Sequence, residues 1–131
     1  MAEGRVFGTG VDLVENDRVA AMLQRWDARF TDRVFLPEEQ RYCQAKAFPF
    51  MHYAARFAVK EAVSKAFGTG LGPSIGWLDI EVVRNEETGA PSVRLRGKAE
   101  DLARAHGVGH VLVSLSHTRQ YSVATALLVA D

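Results

Sequence analysis

Apolar and polar residues recur along this chain at two periods. Across residues 54–72, AARFAVKEAVSKAFGTGLG, the positions Ala55, Ala58, Val59, Ala62, Val63, Ala66 and Phe67 fall at i, i+3, i+4, i+7, i+8, i+11 and i+12. That is the continuous stripe of a helix with one buried face. At about 100° per residue the opposite, solvated side carries Arg56, Lys60 and Ser64, while Glu61 and Lys65 stack one turn apart at the border. Gly68 closes the helix and opens a GTGLG loop. A core helix with an ordinary i,i+4 ion pair and a glycine cap accounts for this stretch as well as a functional reading does.

The other elements follow in order. Residues 5–14, RVFGTGVDLV, read as a strand in which Gly8 and Gly10 mark a bulge or a close backbone approach. Asn16 or Asp17 can cap a helix running to about Phe30, with Val19, Met22, Leu23, Trp26 and Phe30 as its seam. Pro37 suits the first turn of a short helix to about Lys46, which Phe48-Pro49-Phe50 ends. Residues 78–84 and 92–96 form a hairpin about a turn at 85–89, and residues 97–106 form a helix closed by Gly107. Residues 110–116 and 121–129 are two strong strands. The mixture predicts an α+β fold with an antiparallel sheet packed with helices.

Length and charge narrow the class. A chain of 131 residues fits one domain spanning 1–131. Sixteen basic and sixteen acidic residues leave no net field of the kind that coats nucleic acid or a membrane surface. The single Cys43 excludes an internal disulfide and a cysteine-based zinc site. With no signal-like apolar segment and no membrane-length run, the cytoplasm is the expected compartment.

Several chemistries are disfavoured by spacing. No HxxxH pair is present, SLSH lacks the GxSxG context of a hydrolase, and the glycines of GTGLG follow a helix instead of preceding one. What remains is rich in oxygen. Asp12 stands between Val11 and Leu13, either as an outward residue of an edge strand or as a cation ligand. Asp12 and Glu61 together suit a hard cation such as magnesium, which prefers one or two carboxylates with phosphate oxygens. Lys65, Arg56, Lys60 and His117 are candidates for binding an anion, an ensemble suited to phosphoryl-type chemistry. Arg18, Arg25 and Arg29, at i, i+7 and i+11, form an electropositive line suited to solubility or to an acidic partner helix.

GVDLVENDR at 10–18, RFAVKEAVSKAFGTGLG at 56–72, DIEV at 79–82 and VSLSHT at 113–118 resemble the short 4′-phosphopantetheinyl transferases, in order and in spacing, over nearly the whole chain. The resemblance implies transfer of the 4′-phosphopantetheine arm of coenzyme A to a serine of apo acyl carrier protein in fatty-acid biosynthesis. Adenosine 3′,5′-bisphosphate is then the leaving product. It implies a Mg2+ site at Asp12 and Glu61, with Lys65 near the coenzyme diphosphate and Glu61 a candidate base, directly or through water. Arg56, Lys60, Gly68, Thr69, Gly70, Ser116, His117 and Thr118 become the coenzyme-binding set, and Arg18, Met22, Arg25 and Arg29 the carrier-protein dock. It further implies a homotrimer with sites between subunits. Asn16 departs from the apolar residue usual after VE, Val59 replaces the commoner alanine, and residues 44–52 have no assigned role. The alternatives are a transferase serving a polyketide or peptide synthase carrier, and a non-catalytic module that binds an acidic helix.

Overall fold

Residues 4–131 are described by the structure, a computed structural model. The order is β1 (Arg5–Glu15), α1 (Asn16–Trp26), α2 (Ala28–Val34), α3 (Pro37–Gln44), α4 (Pro49–Ala66), a 3-10 turn at Trp77–Asp79, β2 (Ile80–Arg84), β3 (Pro91–Leu95), α5 (Gly97–Ala105), β4 (Val108–His117) and β5 (Tyr121–Ala130). β1, β5 and β4 form an antiparallel sheet in that spatial order, and β2 pairs with β3 in a separate hairpin. The fold is α+β, as the periodicities predict.

The glycines of β1 explain how α4 meets the sheet. A methyl group at Gly8 would lie 2.0 Å from the Ala66 carbonyl oxygen, and one at Gly10 would lie 1.9 Å from that of Ala62. Strand and helix therefore touch backbone to backbone, with only alanines on the helix side. The register also shifts between Val6 and Gly8, so both meanings of glycine in a strand occur here. Behind this contact Val14, Ala58, Ala62, Ala124, Ala126 and Leu128 are buried in the main core.

Alternation in the strands sends Val11, Leu13 and Leu112 to the other face of the sheet, where they are 57%, 64% and 55% exposed. Thr9, Ser114, Thr125 and Leu127 share that face around a shallow depression. No helix among the described residues is long and apolar enough to cross a membrane.

The solvated row expected on α4 is buried instead. Arg56 is 6% exposed, and Lys60 and Ser64 are fully enclosed. The sheet covers one side of α4, while α1, α3 and β2 cover others, so this row meets protein instead of water. Lys60 is tolerated because its three ammonium hydrogens have three acceptors: the Val34 carbonyl at 2.8 Å, Glu39 Oε1 at 2.7 Å and the Trp77 carbonyl at 3.1 Å. Glu39 also accepts the Leu36 and Val82 N–H groups, both at 2.8 Å. α4 starts at Pro49, five residues before the stripe, because proline fits the first helical turn; the FPF segment is a beginning as well as a break.

The first helix is shorter than its seam predicts. Asp27, at φ 50°, ends α1, and its carbonyl receives the Phe30 and Thr31 N–H groups as α2 begins. Phe30 is buried from α2, whereas Trp26 is 41% exposed and leaves the seam. Arg29 lies on a different helix from Arg18 and Arg25, so the three arginines do not form one line. Neither Asn16 nor Asp17 caps α1. Glu15 holds that position without a side-chain bond, and Asn16 turns inward.

Replacing Gly10 with alanine should cost about 3 kcal/mol, since backbone must move to admit the methyl group. Gly72→Ala, which meets nothing within 4 Å, should stay within about 0.5 kcal/mol of wild type in the same urea unfolding experiment.

Candidate active site

The contact between β1 and α4 brings two carboxylates to one place. Asp12 points toward α4, and its side chain is 13% exposed. That settles its direction: it lies on an edge strand but does not face outward. Its Oδ1 accepts a hydrogen bond from Lys65 Nζ at 2.8 Å, and Lys65 also donates to the Val11 carbonyl at 3.2 Å. The expected Glu61–Lys65 pair is thus replaced by Lys65–Asp12. Burial, and then the neighbouring Asp12 charge, raise the pKa of Glu61, while Lys65 and Arg18 partly oppose the rise. Two half-shielded carboxylates with one close ammonium are a suitable donor set for a hard divalent cation, whose charge would relieve their repulsion. Among the described residues no group of three or more His, Cys, Asp or Glu side chains is gathered for a metal, which disfavours a zinc-type centre.

Toward the N-terminal half of α4 lies a cavity of about 450 Å³ lined by Tyr42, Lys46, His52, Arg56, Arg84 and His117, among others. Among the described residues no carboxylate lines it. The Arg56 guanidinium stacks 3.9 Å from the Tyr42 ring centre, and Lys46 lies over the same ring at 4.6 Å. Among the described residues the buried Arg56 Nε has no hydrogen-bond partner, and the Arg56 side chain lines the cavity. Burial first, then the charges of Lys46, Arg56, His117 and Arg84, lower the pKa of His52. A cavity that opposes one more positive charge favours a negative one.

The coenzyme-binding set divides. Arg56 and His117 meet in this cavity. Lys60 does not take part, because all its hydrogens are used inside the protein, and its role is structural. Gly68, Thr69 and Gly70 lie past the far end of α4, some 18 Å along the helix from Arg56 at about 1.5 Å per residue. Gly68 and Gly70 have positive φ, and the Thr69 and Gly70 N–H groups donate to the Ser64 carbonyl. Ser116 alternates with His117 and shares the open sheet face with Leu112. The Thr118 hydroxyl accepts the Gln120 and Tyr121 N–H groups at 3.2 and 3.0 Å, bracing the turn that follows His117.

Lys46, His52, Arg84 and Tyr42 escaped the sequence reading. They come from α3, the loop after it, α4 and β2, and the unassigned 44–52 segment supplies two of them, so no spacing announces the cluster. Cys43 offers no nucleophile: burial, above all, pushes its thiol up to about 12. Of the expected dock, Arg18 lies within the field of Glu61, Met22 packs against the core, and the exposed Arg25 and Arg29 lie 5.0 and 5.1 Å from the Trp26 ring centre.

Residues 8–126 match the family model of the 4′-phosphopantetheinyl transferase superfamily. The chain belongs to that family. Among its relatives, the holo-[acyl-carrier-protein] synthase of Syntrophus aciditrophicus is 47% identical over 94% of this chain and 95% of its own. The solved Neisseria meningitidis holo-[acyl-carrier-protein] synthase superposes with a TM-score of 0.87 at 25% identity, over 95% of this chain and 98% of that one. The Helicobacter pylori holo-[acyl-carrier-protein] synthase, solved in complex with coenzyme A, gives 0.81 at 27% identity, over 92% and 98%.

An acid whose pKa rises on folding holds its proton more tightly in the folded chain. Its ionisation therefore opposes folding, and stability falls as pH rises through the raised value. Without divalent cation, Glu61→Gln should then melt above wild type at pH 7.5, with the gap closing as pH falls toward the ordinary 4.5. Calorimetry at several pH values reads this directly, and a lower melting temperature at pH 7.5 would contradict it.

Proposed function

We propose that this chain transfers the 4′-phosphopantetheine arm of coenzyme A to a serine of apo acyl carrier protein, serving fatty-acid biosynthesis in the cytoplasm as a single-domain, magnesium-dependent enzyme. One observation carries the reading: the Asp12–Glu61–Lys65 centre and the cationic cavity lie along one helix, α4. A substrate with several phosphates needs both a place to anchor charge and a place to react. The similarity to the H. pylori structure, which holds coenzyme A, supports this assignment.

The chemistry divides among the residues. Arg56 and His117, with Lys46, His52 and Arg84, would anchor the anionic end of the coenzyme. A magnesium ion held by Asp12 and Glu61 would polarise the diphosphate and offset its charge. The carrier serine oxygen forms a bond to phosphorus, and the bond from that phosphorus to the oxygen of the adenosine bisphosphate breaks. Glu61, directly or through a water, is placed to receive the serine proton. Lys65, half exposed beside Asp12, is placed to offset charge on the departing oxygen.

The open sheet face supports the homotrimer. Val11, Leu13 and Leu112 leave apolar surface in water that a second copy would cover. Ser116 lies on that face, so a neighbouring subunit would bring a site residue of its own, and the glycine loop would likewise serve a site assembled between copies. Arg25 and Arg29, flanking Trp26, offer the acidic carrier two guanidinium groups.

Asp12→Asn and Glu61→Gln should each reduce magnesium-dependent transfer on the order of 100-fold or more in a folded protein, read as the mass gain of apo acyl carrier protein. Undiminished transfer in both variants would refute the two-carboxylate centre. Arg25→Glu with Arg29→Glu should raise KM for carrier protein by about tenfold, the equivalent of roughly 1.4 kcal/mol, and leave KM for coenzyme A unchanged. Equal rises in both constants would remove the dock. Arg18 is left intact in that variant because it contributes to the field at Glu61.

A further inference from the structure

The turn between β4 and β5 follows His117 directly, so its position sets one wall of the cationic cavity. Residues 118–120 are all exposed; the hydrogen bonds among Thr118, Gln120 and Tyr121 close the turn locally, and none of them ties it to another part of the chain. One residue from elsewhere does. Asn16, at the junction of β1 and α1, is fully buried. Its side-chain Nδ2 donates to the carbonyls of Thr118 and Arg119, both at 3.0 Å, and its backbone N–H donates to the Gln120 carbonyl at 2.8 Å. Its remaining acceptor, Oδ1, takes a hydrogen bond at 2.8 Å from the hydroxyl of Ser122, which is also fully buried. Three successive carbonyls of one turn thus meet three hydrogens of one residue.

We infer that Asn16 is a positioning residue for coenzyme A binding, acting through the turn that carries His117. This rests on the reading of the cavity as a coenzyme A site. The physical case has two parts. A buried carboxamide with every hydrogen and its oxygen paired has one low-energy orientation, so it fixes the turn relative to the start of α1. Carbonyl oxygens are the negative ends of peptide dipoles, and drawing three of them onto Asn16 keeps them from facing a phosphate beside His117. No aliphatic side chain performs either task. Asn16 thereby connects the strand that carries Asp12 with the turn beyond His117.

The distinguishing measurement compares the two halves of the network. Ser122→Ala removes the hydroxyl but leaves all three bonds from Asn16 to the turn. It should lower the melting temperature and leave the Kd and KM for coenzyme A unchanged. Asn16→Asp places a carboxylate oxygen against two carbonyls and should raise both constants about tenfold or more, with kcat within about twofold of wild type. If that variant does not fold, Asn16→Leu with Ser122→Ala removes both buried polar partners together, avoids an unpaired group in that pair, and should show the same rise in Kd by calorimetry. Adding His117→Ala to the Asn16 variant should raise Kd by less than the product of the separate effects, as coupled residues do. Multiplicative effects, or an Asn16 variant that loses melting temperature alone, would overturn the inference. A wild-type chain that fails to bind coenzyme A would remove the cavity reading itself, and this inference with it.

Discussion

At Gly8 and Gly10, helix α4 rests on β1 with no side chain of the strand between them. Gly8 and Gly10 bring the strand against the carbonyls of Ala66 and Ala62, nearer than any Cβ allows. The contact is demanding because it admits neither a methyl group nor a shift in register. It also positions the chemistry. Asp12 is two residues beyond Gly10 on the strand, and Glu61 and Lys65 are neighbours of Ala62 and Ala66 on the helix. Each glycine–alanine contact therefore sets the spacing of a charged side chain beside it. The site is as exact as the packing that carries it, which is a common reason for building reactive groups on rigid elements.

The second fixed point is charged. Lys60 and Glu39 are buried together, with backbone carbonyls completing the ammonium and backbone N–H groups completing the carboxylate. The pair joins α4 to the end of α2, to α3, to the turn at Trp77 and to β2. Desolvation makes such pairs a poor source of net stability, but removing either partner would leave a buried charge alone. Its effect is therefore to specify one arrangement of five segments. Arg56, one turn earlier on the same row, has the opposite character. Its guanidinium is stacked on Tyr42, and the side chain lines the cavity. Two cations on one helical row thus have separate roles, one sealed into the fold and one open to the cavity.

The Asp12–Glu61–Lys65 cluster and the cationic cavity lie at successive positions along α4. His117 lines the cavity from the sheet side, and Asn16 joins the turn that follows it to the start of α1. The same helix sends Arg18 toward Glu61 and ends at Trp26 between two arginines. The Asp12 carboxylate, the Asn16 tether of the turn and the Arg18 charge felt by Glu61 therefore share one short piece of backbone at residues 12–18.

Much of this was legible in the chain alone. Period-2 and period-3.6 patterns located the strands and helices, the β1 glycines announced a close approach, and Asp12, Glu61 and Lys65 stood out as charges set against apolar neighbours. These are local signals, carried by spacing within one element. What tertiary structure alone decided was which polar residues meet water. The row Arg56, Lys60 and Ser64 has the spacing of a solvated face, yet other segments pack over it, and for Lys60 distant acceptors make that burial tolerable. The same reason explains the Lys65–Asp12 pairing, the break at Asp27 that separates Arg29 from Arg25, and the gathering of Lys46, His52, Arg84 and His117 from separate segments. Spacing along one chain segment records its own faces; it does not record which other segments will cover them.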